Sequence, residues 1–281
     1  MALRARSIDF AEESVTLRQF RDKEARVGKV LVLVGVIAAS AALVGTALAS
    51  HSWRSYHWSR ATNPLQLSVG DNVDSSWDSY LNGAIDDWSQ SSVVTLARVA
   101  SNKDPVSCSP TAGRIEACNA SYGSTGWLGI AQIWLSGRSH ISQAITKVND
   151  TYFNQAPYNT PAWRRLVMCQ EIAHDFGLDH QDVNFNNPNL GSCMDYTSNP
   201  SGPPSNEHPN PHDFEQLVTI YSHLDGSSGG GTGCKGKKCQ NGLENAPPFS
   251  QASRANGDVY VDAAANGGHR VTHVFWTPFG E

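Results

Sequence analysis

Gln170-Glu171-Ile172-Ala173-His174-Asp175-Phe176-Gly177-Leu178-Asp179-His180 is the stretch that decides how this chain is read. Residues 170 and 174 stand one helical turn apart, so their side chains share a face. Gly177 supplies the left-handed residue that ends a helix, and the turn can bring His180 back toward that face. Glu171 sits beside the pair, where its carboxylate can reach a water on a bound metal. A metal there polarises the water, and Glu171 takes its proton for attack on a peptide carbonyl.

Working outward, Thr160-Pro161 is a helix start, with the Thr hydroxyl as cap and Pro at the first position, and the helix is expected to run to Phe176. Asn210-Pro211 opens another, with Phe214, Leu217, Val218, Tyr221 and Leu224 on one apolar face. Upstream, Trp77, Tyr80, Leu81, Ala84, Ile85 and Trp88 make the buried stripe of an amphipathic helix. Strands are expected at Leu65–Val69, Val93–Ala100, Trp127–Leu135 and Ile141–Val148, the last two separated by a Ser136-Gly137 turn. Strands first and helices later, without βαβ alternation, predict an α+β domain over 62–225. Residues 226–233 are Gly/Ser-rich and read as a linker. A small tail, 234–281, follows, with Cys234, Cys239 and two apolar runs that Asn266-Gly267-Gly268 can join as a hairpin.

The central stretch resembles the extended zinc signature of the metzincin metallopeptidases, with Glu171, His174, Gly177 and His180 in matching places. Ser192-Cys193-Met194-Asp195-Tyr196 is similar to the Met-turn that follows it in that family. The Gly-Leu-Asp-His ending at His180 and the helix from His212 resemble the matrixin branch. Met194-x-Tyr196 is more similar to the astacins and serralysins, whose tyrosine assists the transition state. The resemblance implies a zincin fold: a twisted mixed sheet, an active-site helix, a Met-turn and a C-terminal helix. It implies a secreted, monomeric endopeptidase in which Gln170, His174 and His180 hold Zn2+, Glu171 is base and then acid, and Tyr196 stabilises the oxyanion. The Trp127–Leu135 strand becomes the edge beside the cleft, where an extended protein or peptide substrate adds as another strand. A Cys169–Cys193 bridge would clamp the site from below, leaving Cys108 with Cys118 and Cys234 with Cys239.

Gln170 departs from the family, which has His there. An amide oxygen is neutral, hard and a weaker donor to zinc than imidazole. Three outcomes stay open: Gln170 is a weak ligand, another group such as His140 or Asp182 replaces it, or the site is empty and the chain is a catalytically inactive extracellular binding protein. His51, His57, His208, His212, His223, His269 and His273 are expected at the surface.

The chain has 281 residues, 40% hydrophobic and 17% charged, which excludes a disordered protein. Its net charge of −5 falls to −7 once the first 49 residues, with seven Lys/Arg against five Asp/Glu, are set aside. A surface that acidic is a poor partner for nucleic acid. Val30–Ala49 is uncharged, follows a basic segment and ends in Ala47-Leu48-Ala49, so residues 1–49 read as a signal peptide or an uncleaved signal anchor. Only an uncleaved anchor would put the chain in contact with a membrane. Everything after residue 50 is then outside, where an even set of six cysteines can form disulfides.

Overall fold

The computed structural model describes residues 50–225, 246–264 and 268–279. The signal segment, the Gly/Ser run at 226–233, Cys234 and Cys239 lie outside these residues. The strands are β1 (His57–Trp58), β2 (Leu65–Asn72), β3 (Val94–Ala100), β4 (Ile115–Ala120), β5 (Trp127–Ser136), β6 (His140–Asn149), β7 (Val259–Ala263) and β8 (His269–Trp276). The α-helices are α1 (Asp78–Trp88), α2 (Asp150–Phe153), α3 (Pro161–His174) and α4 (Pro211–Ile220). The architecture is α+β, built on one mixed sheet.

Sheet order is β3-β2-β4-β6-β5-β8-β7, with β1 joining the start of β6. The first four strands run parallel to one another, and β5, β8 and β7 each pair antiparallel to the strand before them. A parallel pair needs a crossover, and α1 provides it between β2 and β3. One βαβ unit therefore exists where the sequence showed no alternation. β4 escaped the sequence reading because its Ile-Glu-Ala-Cys-Asn-Ala carries polar residues that are nonetheless interior. Glu116 has no exposed surface, and its carboxylate accepts from Asn72, Ser101 and the Arg114 guanidinium.

α1 and α3 pack together on the sheet. Trp77 and Trp88 are fully buried there, and each satisfies its indole N–H, on Asp150 Oδ1 at 2.8 Å and Cys169 O at 2.9 Å. α3 starts as expected: the Thr160 hydroxyl accepts from Trp163 N, with Pro161 next. α4 opens on a capping box between Asn210 and Asp213. Cys108–Cys118 and Cys169–Cys193 are bonded as anticipated. The second closes a 24-residue separation, worth about 3 kcal/mol in the chain-entropy account.

The largest correction concerns the end of the chain. Residues 246–264 and 268–279 do not form a tail apart from the domain, because β8 pairs with β5 from Trp127↔Trp276 to Trp134↔Arg270. The edge expected to receive a substrate strand is thus occupied by the chain itself. Alternation along β8 explains why it belongs there. Val271 and Phe275 point into the main core that includes α3, while Val274 and Trp276 join Trp127, Ile130 and Tyr260 on the other face.

Candidate metal centre

His273 lies between Val271 and Phe275 in the strand alternation, so it faces the helix side of the sheet. It has no exposed surface and stacks on His174, ring centroids 3.9 Å apart. The surface position expected for it is overturned. His174, His180 and His273 each offer a ring nitrogen, and these atoms lie within 4.8 Å of one another.

α3 presents His174 from its last turn, and its Nδ1 meets the carbonyl of Leu178 at 2.8 Å. A carbonyl only accepts, so Nδ1 carries the proton and Nε2 keeps its lone pair. That Nε2 is 3.1 Å from Nε2 of His180. The edge of a tetrahedral zinc site with nitrogen ligands is about 3.3 Å, so the pair is spaced as two ligands of one ion. Gly177 makes the return of His180 possible. Its φ is 102°, and a Cβ there would stand 2.2 Å from Tyr56 O. Burial, then the proximity of the His273 ring, holds both His174 and His180 well below the usual imidazole range, so both stay neutral and able to donate.

Glu171 is wholly buried, and neither carboxylate oxygen has a hydrogen-bond partner. Burial and then the charge of Asp175 push its pKa well above the ordinary carboxylate value. Gly129 of β5 leaves room for it: a Cβ at that position would come within 2.9 Å of Glu171 Oε1. Asp175, also buried and raised, accepts from the Thr146 hydroxyl at 2.8 Å. Tyr196 puts its ring 4.2 Å from that of His180, and its hydroxyl lies 3.4 Å from Val274 O and Asp258 Oδ2. Burial first, then Asp258 and Glu171, raises its pKa well above 10.

Gln170 is fully buried, with only its N–H engaged. Its Nε2 donates to Cys193 O at 2.6 Å, while Oε1 has no hydrogen-bond partner. Neither replacement weighed from the sequence joins the three imidazoles: His140 lies with His57 and Asp225, and Asp182 accepts from Asn184 N and Asn187 Nδ2. Met194 is fully buried, its N–H on the Ser192 hydroxyl and its carbonyl accepting from Gln181 N.

Besides His273, three contributors went unread in the sequence. Asp258, just before β7, has Oδ2 3.7 Å from His180 Nδ1 and 3.6 Å from His273 Nε2. Trp53 meets His174 and His273 edge-on, held by its backbone N–H on Gly177 O at 2.7 Å. His51, expected outside, is buried against Asp213 at 3.1 Å. Only His273 had a visible signal, as a histidine between two large apolar residues on one strand face.

Three buried imidazoles, with an unpartnered carboxylate on the same helix as His174, are a donor set that suits zinc as well as other late transition metals. Among the described residues no helix is long and apolar enough to cross a membrane.

No family model matches this chain, and no curated protein matches it. Among solved structures, it is similar to high choriolytic enzyme 1, a hatching enzyme zinc-protease from Oryzias latipes (medaka fish). That match covers 60% of this chain and 95% of the other, at 13% identity and a TM-score of 0.34. At so low a likeness, the functional reading rests on this chain's own side chains.

Proposed function

We propose that the chain is a zinc-dependent peptidase of the extracellular space whose third metal-binding imidazole is His273, contributed by the C-terminal hairpin in place of the histidine that Gln170 lacks. The observation that carries this reading is the convergence of His174, His180 and His273 beside a buried Glu171 with both oxygens unpartnered. Zinc held there supplies Lewis acidity toward water and the scissile carbonyl. Glu171, whose carboxylate form a metal ion beside it would favour against burial, would accept the proton of the attacking water and return it to the leaving amine. Tyr196 is placed to donate its hydroxyl to the developing oxyanion. Asp258 faces His180 and His273 and holds their rings toward the centre. Two disulfides suit an oxidising compartment.

A second reading, a metal-stapled binding protein without catalysis, is favoured by one observation: β8 fills the β5 edge, and the imidazoles and Glu171 are sealed from solvent. The two readings share zinc and part at hydrolysis. Glu171→Gln should keep stoichiometric zinc and lower cleavage of a casein or quenched-peptide substrate by about 10²–10⁴-fold. Zinc-loaded wild type that cleaves nothing would leave the binding protein standing.

A further inference from the structure

The second histidine cluster of the molecule is built from parts far apart in the chain. His57 comes from β1, His140 from the start of β6, and His223 and Asp225 from the segment after α4. Strand register brings the first two together, since His57 and His140 are paired residues of β1 and β6. All three rings aim Nε2 at a single oxygen, Asp225 Oδ1: His57 at 3.6 Å, His140 at 3.2 Å and His223 at 3.5 Å. We propose that His57, His140, His223 and Asp225 form a structural zinc site, separate from the His174 centre.

The spacing is the first support. In a tetrahedral zinc site with bonds of about 2.0–2.1 Å, neighbouring ligand atoms are about 3.3 Å apart, and the three nitrogen–oxygen distances bracket that value; His57, His140 and Asp225 offer atoms within 4.8 Å of one another, and His223 joins them through Asp225 Oδ1. The second is the state of His57. It is 7% exposed, and its Nδ1 meets the Ser55 carbonyl at 2.7 Å, so Nδ1 holds the proton. Nε2 then turns a lone pair toward a carboxylate oxygen, an arrangement of two acceptors that a cation between them relieves. That Nε2 is buried and makes no hydrogen bond. The third is the fixing of Asp225. Its Oδ2 accepts from Arg60 N at 2.9 Å, and its own N–H donates to Arg60 O at 2.8 Å, which leaves Oδ1 to the imidazoles, with His140 Nε2 at 3.2 Å. Arg60 holds the other side as well, donating from Nε to His223 O. This is a second shell orienting first ligands, as metal sites require.

Three nitrogens and one oxygen, all from protein, leave no open position, which marks a structural and not a catalytic ion. The ion would staple the segment entering β1 to the end of α4. That segment includes Trp53, which buttresses His174 and His273. The staple does not depend on the peptidase reading.

The test is to strip the full chain with EDTA, add back Zn2+ alone, and count bound zinc by native mass spectrometry. His140→Gln with His223→Gln should bind one zinc fewer than wild type, and His273→Ala should lose the other equivalent independently. If the His174 centre is empty, the counts become one and zero, and this site stands while the peptidase reading falls. His223 is half exposed, so His223→Gln alone keeps the fold and should weaken one zinc equivalent by at least ~10-fold. Equal zinc content and affinity in wild type and both variants would overturn the proposal and make the cluster a shared-proton ion pair.

Discussion

The two histidine clusters use the same donors to opposite ends. In the first, His174, His180 and His273 are sealed between helix and sheet, and the neighbouring carboxylate of Glu171 is left without a partner. In the second, the carboxylate is tied down: Asp225 spends one oxygen on Arg60 N and turns the other to three imidazoles. On the proposed readings, a free carboxylate beside three imidazoles is suited to move a proton, and a bound one to hold an ion. The difference lies in which hydrogen bonds the backbone supplies, since residue types are nearly the same.

The comparison breaks most severely if the hairpin is removed. Truncation after Asp225 deletes β7 and β8 and uncovers the β5 edge and the core against Val271, Tyr260 and Phe275, all fully buried. At about 1.5–3 kcal/mol for each large apolar side chain, the loss reaches most of a typical domain stability of about 5–15 kcal/mol. The truncated chain should be insoluble or lack a cooperative thermal transition by circular dichroism. A well-folded truncated protein would show that the hairpin is an accessory and that His273 does not belong to the first cluster.

A sharper cut separates Gln170 from His273. His273→Ala should remove one zinc equivalent and all hydrolysis, whereas Gln170→Ala should keep zinc and shift its affinity by less than ~10-fold, because His174, His180 and His273 already supply three imidazole donors. Isothermal titration with Zn2+ decides it. The opposite ranking would restore Gln170 as the ligand.

The smallest effect is in pH. In metal-stripped protein, the raised pKa of Glu171 means the folded state keeps its proton after the unfolded chain, with an ordinary value of 4.5, has lost it. Glu171 therefore costs nothing below about pH 4 and takes away stability as pH rises above that. Stripped wild type and Glu171→Gln should show a constant difference in melting temperature up to about pH 4. Above that pH the variant should gain on wild type. A difference that stays flat from pH 4 to 7 would place Glu171 in water and outside the sealed centre.

Local signals carried the helix-borne half of the first cluster. Thr160-Pro161, the one-turn spacing of 170 and 174, Gly177 and the return to His180 are all local in sequence, and local geometry is what short motifs encode. The Cys169–Cys193 pairing followed from the family resemblance, and the structure bonds those two cysteines. The strand-borne half was harder to see. Residues 259–276 gave two short apolar runs that a separate hairpin explains equally well, and nothing in the run itself says which edge it joins.

What the sequence determined alone is therefore the helix, its two histidines, the glutamate and the turn beneath them, because hydrogen bonds within a few residues fix those positions. Only the tertiary structure decided that β8 seats on β5, that His273 faces inward as the third imidazole, and that His57, His140 and Asp225 meet. These contacts join residues far apart in the chain, as His140 and Asp225, 85 residues on, do. Strand pairing is set by the burial of whole faces and by backbone hydrogen bonds that every residue offers alike. A histidine on such a strand takes its role from the neighbour it meets, and that neighbour is chosen only when the sheet closes.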